Sequence, residues 1–334
     1  MHITWNKKNN YLKWIFSLAV GIFLFLFWFK YYKVKNVFYL IPYTSIYVWL
    51  LVIFSPFISL SLKALRWKYF IKATTKVKFS FKEAFIFSNL SYFINYVSPL
   101  HLGEVAKIYC LKKIKEIPYS DATAGSILDK SCDLLNFSFL PLVFFINPYL
   151  TKFFFIVFPF LILFFVIIIL GIFKPYKISN FVVRFLKIFP KKLRKKFETF
   201  SFNFFYSLRV AFTKMKFSLF FGVFFQIILL LYTVLATWLF FTLLGNKISI
   251  FKIFIAIILI TLIGFLPQTP AQFGTGEIIA FNIYHKLLGI NPDSVNFLLL
   301  FSRIFASFTL CSLGFISLQV LGLKWINIAK LKKS

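Results

Sequence analysis

Apolar residues run in long blocks along this chain, and the charged residues between the blocks are mostly lysine. Six blocks, residues 14–29, 37–62, 122–146, 153–173, 217–244 and 295–323, read as membrane-spanning helices, which take about 20 predominantly apolar residues. Two further blocks read differently. Residues 85–111 are broken in the middle by Ser98-Pro99 and Gly103-Glu104, and residues 253–288 by Pro267, Pro270, Gly274, Gly276 and Glu277. Proline lacks the donor that would continue a helix, and glycine permits the turn that follows. Neither half of either block is long enough to cross alone, so both are expected as re-entrant helical hairpins. Irregular backbone of this kind survives at membrane depth only inside protein or beside a wet cavity.

Composition agrees with that pattern. With 334 residues, 60% of them hydrophobic, and a mean hydropathy of +0.84, the chain is too apolar for a soluble globule. Its formal charge of +30 raises the question of nucleic acid. The lysines and arginines lie between apolar blocks, however, and no aromatic-basic binding module is present, so nucleic acid is excluded as a partner and anionic lipid headgroups are expected as counter-ions. Cys110, Cys132 and Cys311 all lie in apolar blocks and read as small buried hydrophobes, not as a disulfide framework. His2, His101 and His285 are scattered, and no clustered ligand set or phosphate-binding Gly-x-x-x-x-Gly-Lys-Ser/Thr stretch occurs. No metal, cofactor or catalytic residue is expected.

Loop charge orients the helices, because lysine and arginine accumulate in cytoplasmic loops. With the N-terminus inside, the inside segments carry 30 of the 39 lysines and arginines, and Lys130 and Arg303 are left at membrane depth. This predicts a multi-pass protein of the cytoplasmic membrane with both termini cytoplasmic. The hairpin around Pro99 would then enter from the cytoplasm and that around Pro270 from outside. Their sequences echo one another, Ser98-Pro99-x-x-x-Gly103-Glu104 against Thr269-Pro270-x-x-x-Gly274-x-x-Glu277. Inverted repeats with broken helices are a transporter design. The expectation is one integral membrane domain over 1–334, with a first half 1–173, a basic linker 174–216 and a second half 217–334. Within the linker, Leu193, Phe197, Phe200, Phe204 and Leu208 fall at three- and four-residue spacing beside lysines, as in an amphipathic helix lying at the interface.

Ionisable groups in a bilayer cost about 2.5 to 3.5 kcal/mol each on insertion scales, so each needs a reason to be there. The acidic set is Glu104, Asp129, Asp133 and Glu277; Arg303 and Lys130 are the basic members, with Arg66 and Lys107 near the cytoplasmic boundary. Glu104 and Glu277 each follow a proline-glycine break, in the first turn of a half-helix whose exposed amides carry partial positive charge. Capping of that helix accounts for such a carboxylate; so does a lipid headgroup or phosphate held between two opposed helix starts. Asp129 and Asp133 are four apart and share a helix face, which calls for a nearby cation. Arg303 or a substrate amine, or equally a hydrogen-bonded arrangement inside the protein, is expected to fill that place, with Lys130 pointing elsewhere. Arg66-Trp67 suits phosphate binding and interface anchoring equally.

These residues resemble the lysylphosphatidylglycerol synthase transmembrane-region family of flippase-like membrane proteins. The likeness covers roughly residues 12–323. It rests on Leu65-Arg66-Trp67, on Asn95-x-x-x-Pro99-x-x-x-Gly103-Glu104-x-x-Lys107, on Ile127-Leu128-Asp129-Lys130-x-x-Asp133, on Pro267-x-x-Pro270-x-x-x-Gly274-x-x-Glu277 and on Arg303. The chain departs from the family pattern at Ala271 and Gln272, where glycines are usual, and at Lys107, where arginine is usual. The resemblance implies a stand-alone lipid-translocating domain without the soluble synthase. The resulting expectation is an all-α polytopic membrane protein of six transmembrane helices and two inverted re-entrant hairpins. It would move a phospholipid, aminoacyl-phospholipid or polyprenyl-linked headgroup, with Glu104, Glu277, Asp129, Asp133, Arg303, Arg66 and Lys107 along the path. A lipid-modifying enzyme within the membrane, or a non-catalytic partner of lipid or glycan synthesis enzymes, is the alternative.

Overall fold

A computed structural model describes residues 7–75, 77–98, 102–136, 191–264 and 269–322, with a few positions between 139 and 174. The described residues are helical and contain no strand. In chain order they form α1 (Lys7–Tyr31), two short 3-10 turns (Val34–Tyr39 and Ile41–Tyr43), α2 (Ile46–Thr75), α3 (Phe81–Val97), α4 (Gly103–Lys115) and α5 (Tyr119–Leu135). Then follow α6 (Lys191–Lys214), α7 (Lys216–Leu243), α8 (Ile250–Gly264), α9 (Thr275–Phe281) with a π turn at Asn282–Leu287, and α10 (Pro292–Val320).

Three of these helices, α2, α7 and α10, are long and apolar enough to cross a membrane. One of the predicted spans is displaced. The block 37–62 opens in 3-10 turns around Pro42, and its helix starts at Ile46 and runs on through Arg66 to Thr75. The block 122–146 is α-helical only as far as Leu135 among the described residues. The predicted span 153–173 lies mostly outside the described residues, as do Pro99, His101 and Pro267.

The chain forms two compact units that interleave in sequence. Unit 1 is Met1–Ile58, Leu90–Gly103 and Tyr232–Gly322; unit 2 is Ser59–Asn89, Glu104–Leu231 and Leu323–Ser334. In unit 2, Phe70 and Ala73 of α2, Ala124, Leu128 and Cys132 of α5, and Phe205, Leu208 and Ala211 of α6 form one buried cluster. Small residues make this approach possible, as is usual where helices pack without help from water. A Cβ on Gly125 would lie 2.9 Å from Thr74 Oγ1, and one on Gly222 would meet the Phe70 ring. The stripe expected to lie on the membrane surface is therefore covered, at Leu208, by protein: α6 packs along α5, and Ser207 donates to Asp121 at 2.6 Å. Phe200 and Phe202 remain exposed.

In unit 1, Trp49 of α2 sets its ring edge-on to Phe297 and Phe301 of α10, with centroids 5.4 and 4.9 Å apart. Gly314 of α10 receives the Phe93 side chain, and Tyr96 bonds Ser307 at 2.5 Å. Asn296 of α10 reaches back to the Tyr32 carbonyl at 2.9 Å after α1 ends.

Candidate functional site

Both predicted breaks are breaks. α3 ends at Val97 and α4 begins at Gly103, whose amide donates to Asn95 Oδ1 at 2.7 Å. A side chain at 103 would run into the Ser91 carbonyl and Asn95, so glycine is required by the close approach. At the other end of this pair of helices, Ser80 and Glu83 form a capping box: the Ser80 amide donates to Glu83 Oε2 at 2.9 Å and the Glu83 amide to Ser80 Oγ at 3.2 Å. The same Glu83 accepts from Lys115 in the last turn of α4. The start of α3 and the end of α4 are thus clasped together. The Lys115 ammonium and the Ser80 amide hold the Glu83 carboxyl below its ordinary value.

The second break is clasped the same way with neutral groups. Asn246, just before α8, accepts from the Asn291 amide at 3.1 Å and donates to Ser294 Oγ at 2.9 Å, both at the start of α10. Asn291 itself caps α10 through Asp293 and Ser294. At the inner end the chain turns through Ala271 and Gln272, both at positive φ (55° and 57°), and Gly274 at 80°. The left-handed region costs an ordinary residue about 1–2 kcal/mol. Backbone that glycine adopts freely is therefore held here by two residues with side chains.

Glu277 is buried at the N-terminal turn of α9, where its Oε2 accepts from the Gly274 amide at 2.8 Å. Its other oxygen accepts from Arg303 Nε, and Arg303 Nη1 donates to the Ala271 carbonyl at 2.8 Å. Thr269 Oγ1 closes the turn onto Phe273 O at 2.6 Å and lies 3.0 Å from Thr275 Oγ1. The turn rests on α1: Phe273 stacks on Phe25 at 4.3 Å, and a Cβ on Gly274 would sit 2.6 Å from the Gly21 carbonyl. Glu277 is thus both a helix cap and an ion-pair partner. This whole assembly belongs to unit 1.

Unit 2 holds the remaining charges in one connected network. Arg66 Nε donates to Asp129 Oδ1 at 2.7 Å, and its Nη1 donates to Asp133 Oδ1 at 2.6 Å and to Gln226. Gln226 passes on to Asn136 Oδ1 at 3.2 Å. Lys130 Nζ stands 3.8 Å from both Asp133 and Glu104. Lys107 pairs with Glu104 at 2.7 Å and lies 5.1 Å from the centre of the Trp67 ring. Lys63 is within electrostatic reach of Asp133, Asp129, Arg66 and Lys130.

Three expectations change here. The partner of Asp129 and Asp133 is Arg66, not Arg303, because α2 carries Arg66 into the interior of unit 2 while Arg303 is held by Glu277 in unit 1. Arg66 and Trp67 are 1% and 0% exposed, which sets aside interface anchoring. Lys130 does not point elsewhere; it bridges two carboxylates, since Asp133 is one helical turn on. Arg66 and Lys107 are both buried and stand among the cations that meet these carboxylates. Gln226 and Asn246 were not singled out from the sequence. An isolated glutamine in the apolar block 217–244 is a signal that finds the first; nothing local marks the second. Among the described residues, no group of histidine, cysteine and carboxylates suited to a metal is present.

Residues 14–314 match the family described as Lysylphosphatidylglycerol synthase TM region. The chain belongs to that family. The family match spans both units and every charged residue of the two centres. A relative from Methanocaldococcus jannaschii, named UPF0104 membrane protein MJ1595, is 25% identical over 295 residues, covering 82% of this chain and 84% of the relative. No solved structure matches the chain. The protein is an integral membrane protein of the lysylphosphatidylglycerol synthase transmembrane-region family, with several apolar helices.

Proposed function

We propose that the protein moves a lipid headgroup across the cytoplasmic membrane, by passive or ion-coupled exchange, in a body of six spans and two re-entrant hairpins with both termini cytoplasmic. The observation that carries this reading is the charge network of unit 2. Lys63, Arg66, Lys107 and Lys130 stand there against Glu104, Asp129 and Asp133, four cations to three carboxylates. Arg66, Asp129 and Lys107 are buried, but Lys130 is 44% exposed, Asp133 26% and Glu104 20%. A network with a rigid interior, a partly open edge and one more cation than carboxylates overall suits an anionic headgroup, and its exposed acidic members suit an amine on an aminoacylated one. Lipid tails would stay in the bilayer while the headgroup exchanges with Lys130.

The hairpin lengths support re-entrance. α3 (17 residues) and α4 (13) rise about 25 and 20 Å, and α8 (15) about 22 Å, each short of the ~30 Å hydrocarbon core. Each pair is clasped at its base, by Glu83 with Lys115 and by Asn246 with Asn291. The test is exchange of fluorescent phosphatidylglycerol, lysyl-phosphatidylglycerol or polyprenyl phosphate in proteoliposomes, read with an impermeant quencher. Lys130→Gln should slow exchange about tenfold or more, equivalent to ~1.4 kcal/mol, while its melting temperature moves little because the side chain is nearly half exposed and its ion pairs are long, at 3.8 Å. Exchange no faster than in protein-free vesicles, or unchanged in the variant, rejects the reading.

A further inference from the structure

We infer that the Pro270–Gly274 turn of unit 1 is a strained latch held shut by Arg303, and that an anionic group drawing Arg303 away from Ala271 and Glu277 opens it.

Three observations carry this. Two consecutive residues with side chains, Ala271 and Gln272, occupy the left-handed region, which glycine adopts freely and other residues resist. Strain of this kind persists only where the surroundings over-determine it. Besides Thr269 and the packing on α1, one side chain reaches both ends of the turn: Arg303 donates to the carbonyl of strained Ala271 and, through Nε, to Glu277, whose other oxygen takes the Gly274 amide. One guanidinium therefore spans both ends of the turn. Arg303 is also reachable. Its side chain is 21% exposed, and the point where Gly276 would carry a Cβ lies 3.3 Å from Nη2, so glycine at 276 keeps a side chain of its own off the guanidinium, beside Gln272. A guanidinium prefers a bidentate anion such as a phosphate to one carboxylate oxygen and a neutral carbonyl. Once the guanidinium is engaged, the turn keeps its bonds to Thr269 but loses the one on the strained Ala271 carbonyl, and relaxation to the right-handed region shifts the open state by roughly five- to thirtyfold for each residue. Only the anionic trigger rests on the transport reading above. The strain and the latch do not.

The experiment is hydrogen–deuterium exchange of the full chain in lipid nanodiscs, followed at peptides covering 269–278, where Gln272 donates to Thr269 O and Ile278 to Gly274 O. In phosphatidylcholine, Arg303→Gln should speed exchange of these peptides at least tenfold while those of α2 and α7 stay unchanged. The pair Ala271→Gly and Gln272→Gly should slow it about fivefold in the natural background, net of the freedom glycine adds to the open state, and should restore protection to Arg303→Gln. Replacing phosphatidylcholine by phosphatidylglycerol should speed exchange in the natural protein and leave Arg303→Gln unaffected. Faster exchange in the glycine pair shows that the turn is not strained and overturns the latch. Unchanged exchange in Arg303→Gln does the same. Equal exchange in the two lipids with both variants behaving as stated overturns the anionic trigger. None of these readouts requires transport, so a failed liposome assay and a failed latch are distinguishable.

Discussion

In unit 1 one guanidinium, Arg303, meets one carboxylate, Glu277, at the point where the backbone is strained. In unit 2 Arg66 meets two aspartates and a glutamine on unbroken helices, and the pattern spreads through Lys130 to Glu104 and Lys107. The clasps beside the two breaks differ in the same sense: Glu83 with Lys115 is charged, Asn246 with Asn291 and Ser294 is not. A buried charge becomes tolerable in either way, by one pair anchored to backbone groups or by a network in which each member has several partners. The difference lies in what happens when a member is lost. A pair fails locally, at the turn it holds; a network fails through its most connected member and tolerates loss at its edge.

The largest effect should come from that most connected member. Arg66→Leu leaves Asp129, 1% exposed, with an uncompensated charge and should cost about 3–5 kcal/mol, measured by thermal unfolding in detergent. Arg66→Lys should recover little of this, since an ammonium cannot reproduce separate bonds from Nε and Nη1. A loss below about 1 kcal/mol would mean that Lys63 or Lys130 takes over, and the network would be redundant throughout. Arg303→Gln comes next, at about 2–3 kcal/mol, because Glu277 keeps the Gly274 amide. If the order of these two were reversed, the contrast between pair and network would be wrong.

The smallest effect separates the two clasps. Glu83 lies outside the spanning segments, and its carboxyl is held down by Lys115 and the Ser80 amide. A depressed carboxyl stabilises the fold above its unfolded value of about 4.3, and that contribution disappears as pH falls through the lower folded value. Between pH 7 and pH 3 the natural protein should therefore lose up to about 1 kcal/mol that Glu83→Gln lacks from the start, a small amount because Glu83 and Lys115 are each about one-third exposed. Asn246→Ala should change stability without adding any pH dependence. Equal acid sensitivity in Glu83→Gln and the natural chain would show that the charged clasp contributes nothing.

Much of this could be read from the chain. The break positions follow from proline and glycine, which act on their own backbone, so α3 ends at Val97 and α4 starts at Gly103 where the motif lies. Glu277 as a first-turn residue follows from its three-residue distance from Gly274. The family that these motifs resemble is the one whose match extends over residues 14–314. The start of α2 was less legible, because residues 37–45 are as apolar as the helix itself and only Pro42 marks the 3-10 turns.

Hydropathy, turn chemistry and helical spacing are local properties. By themselves they determined a helical membrane protein, its two helix breaks and the set of charges that had to be accommodated. Which cation met which anion was decided only in three dimensions. Arg66 lies 63 and 67 positions from its aspartates, and Asn246 lies 45 from Asn291. Over such separations the rotation of each helix about its axis selects the partner, and packing set that rotation: Gly125 against Thr74, Gly222 against Phe70 and Leu208 beneath α5 turned α2 so that its arginine faced inward.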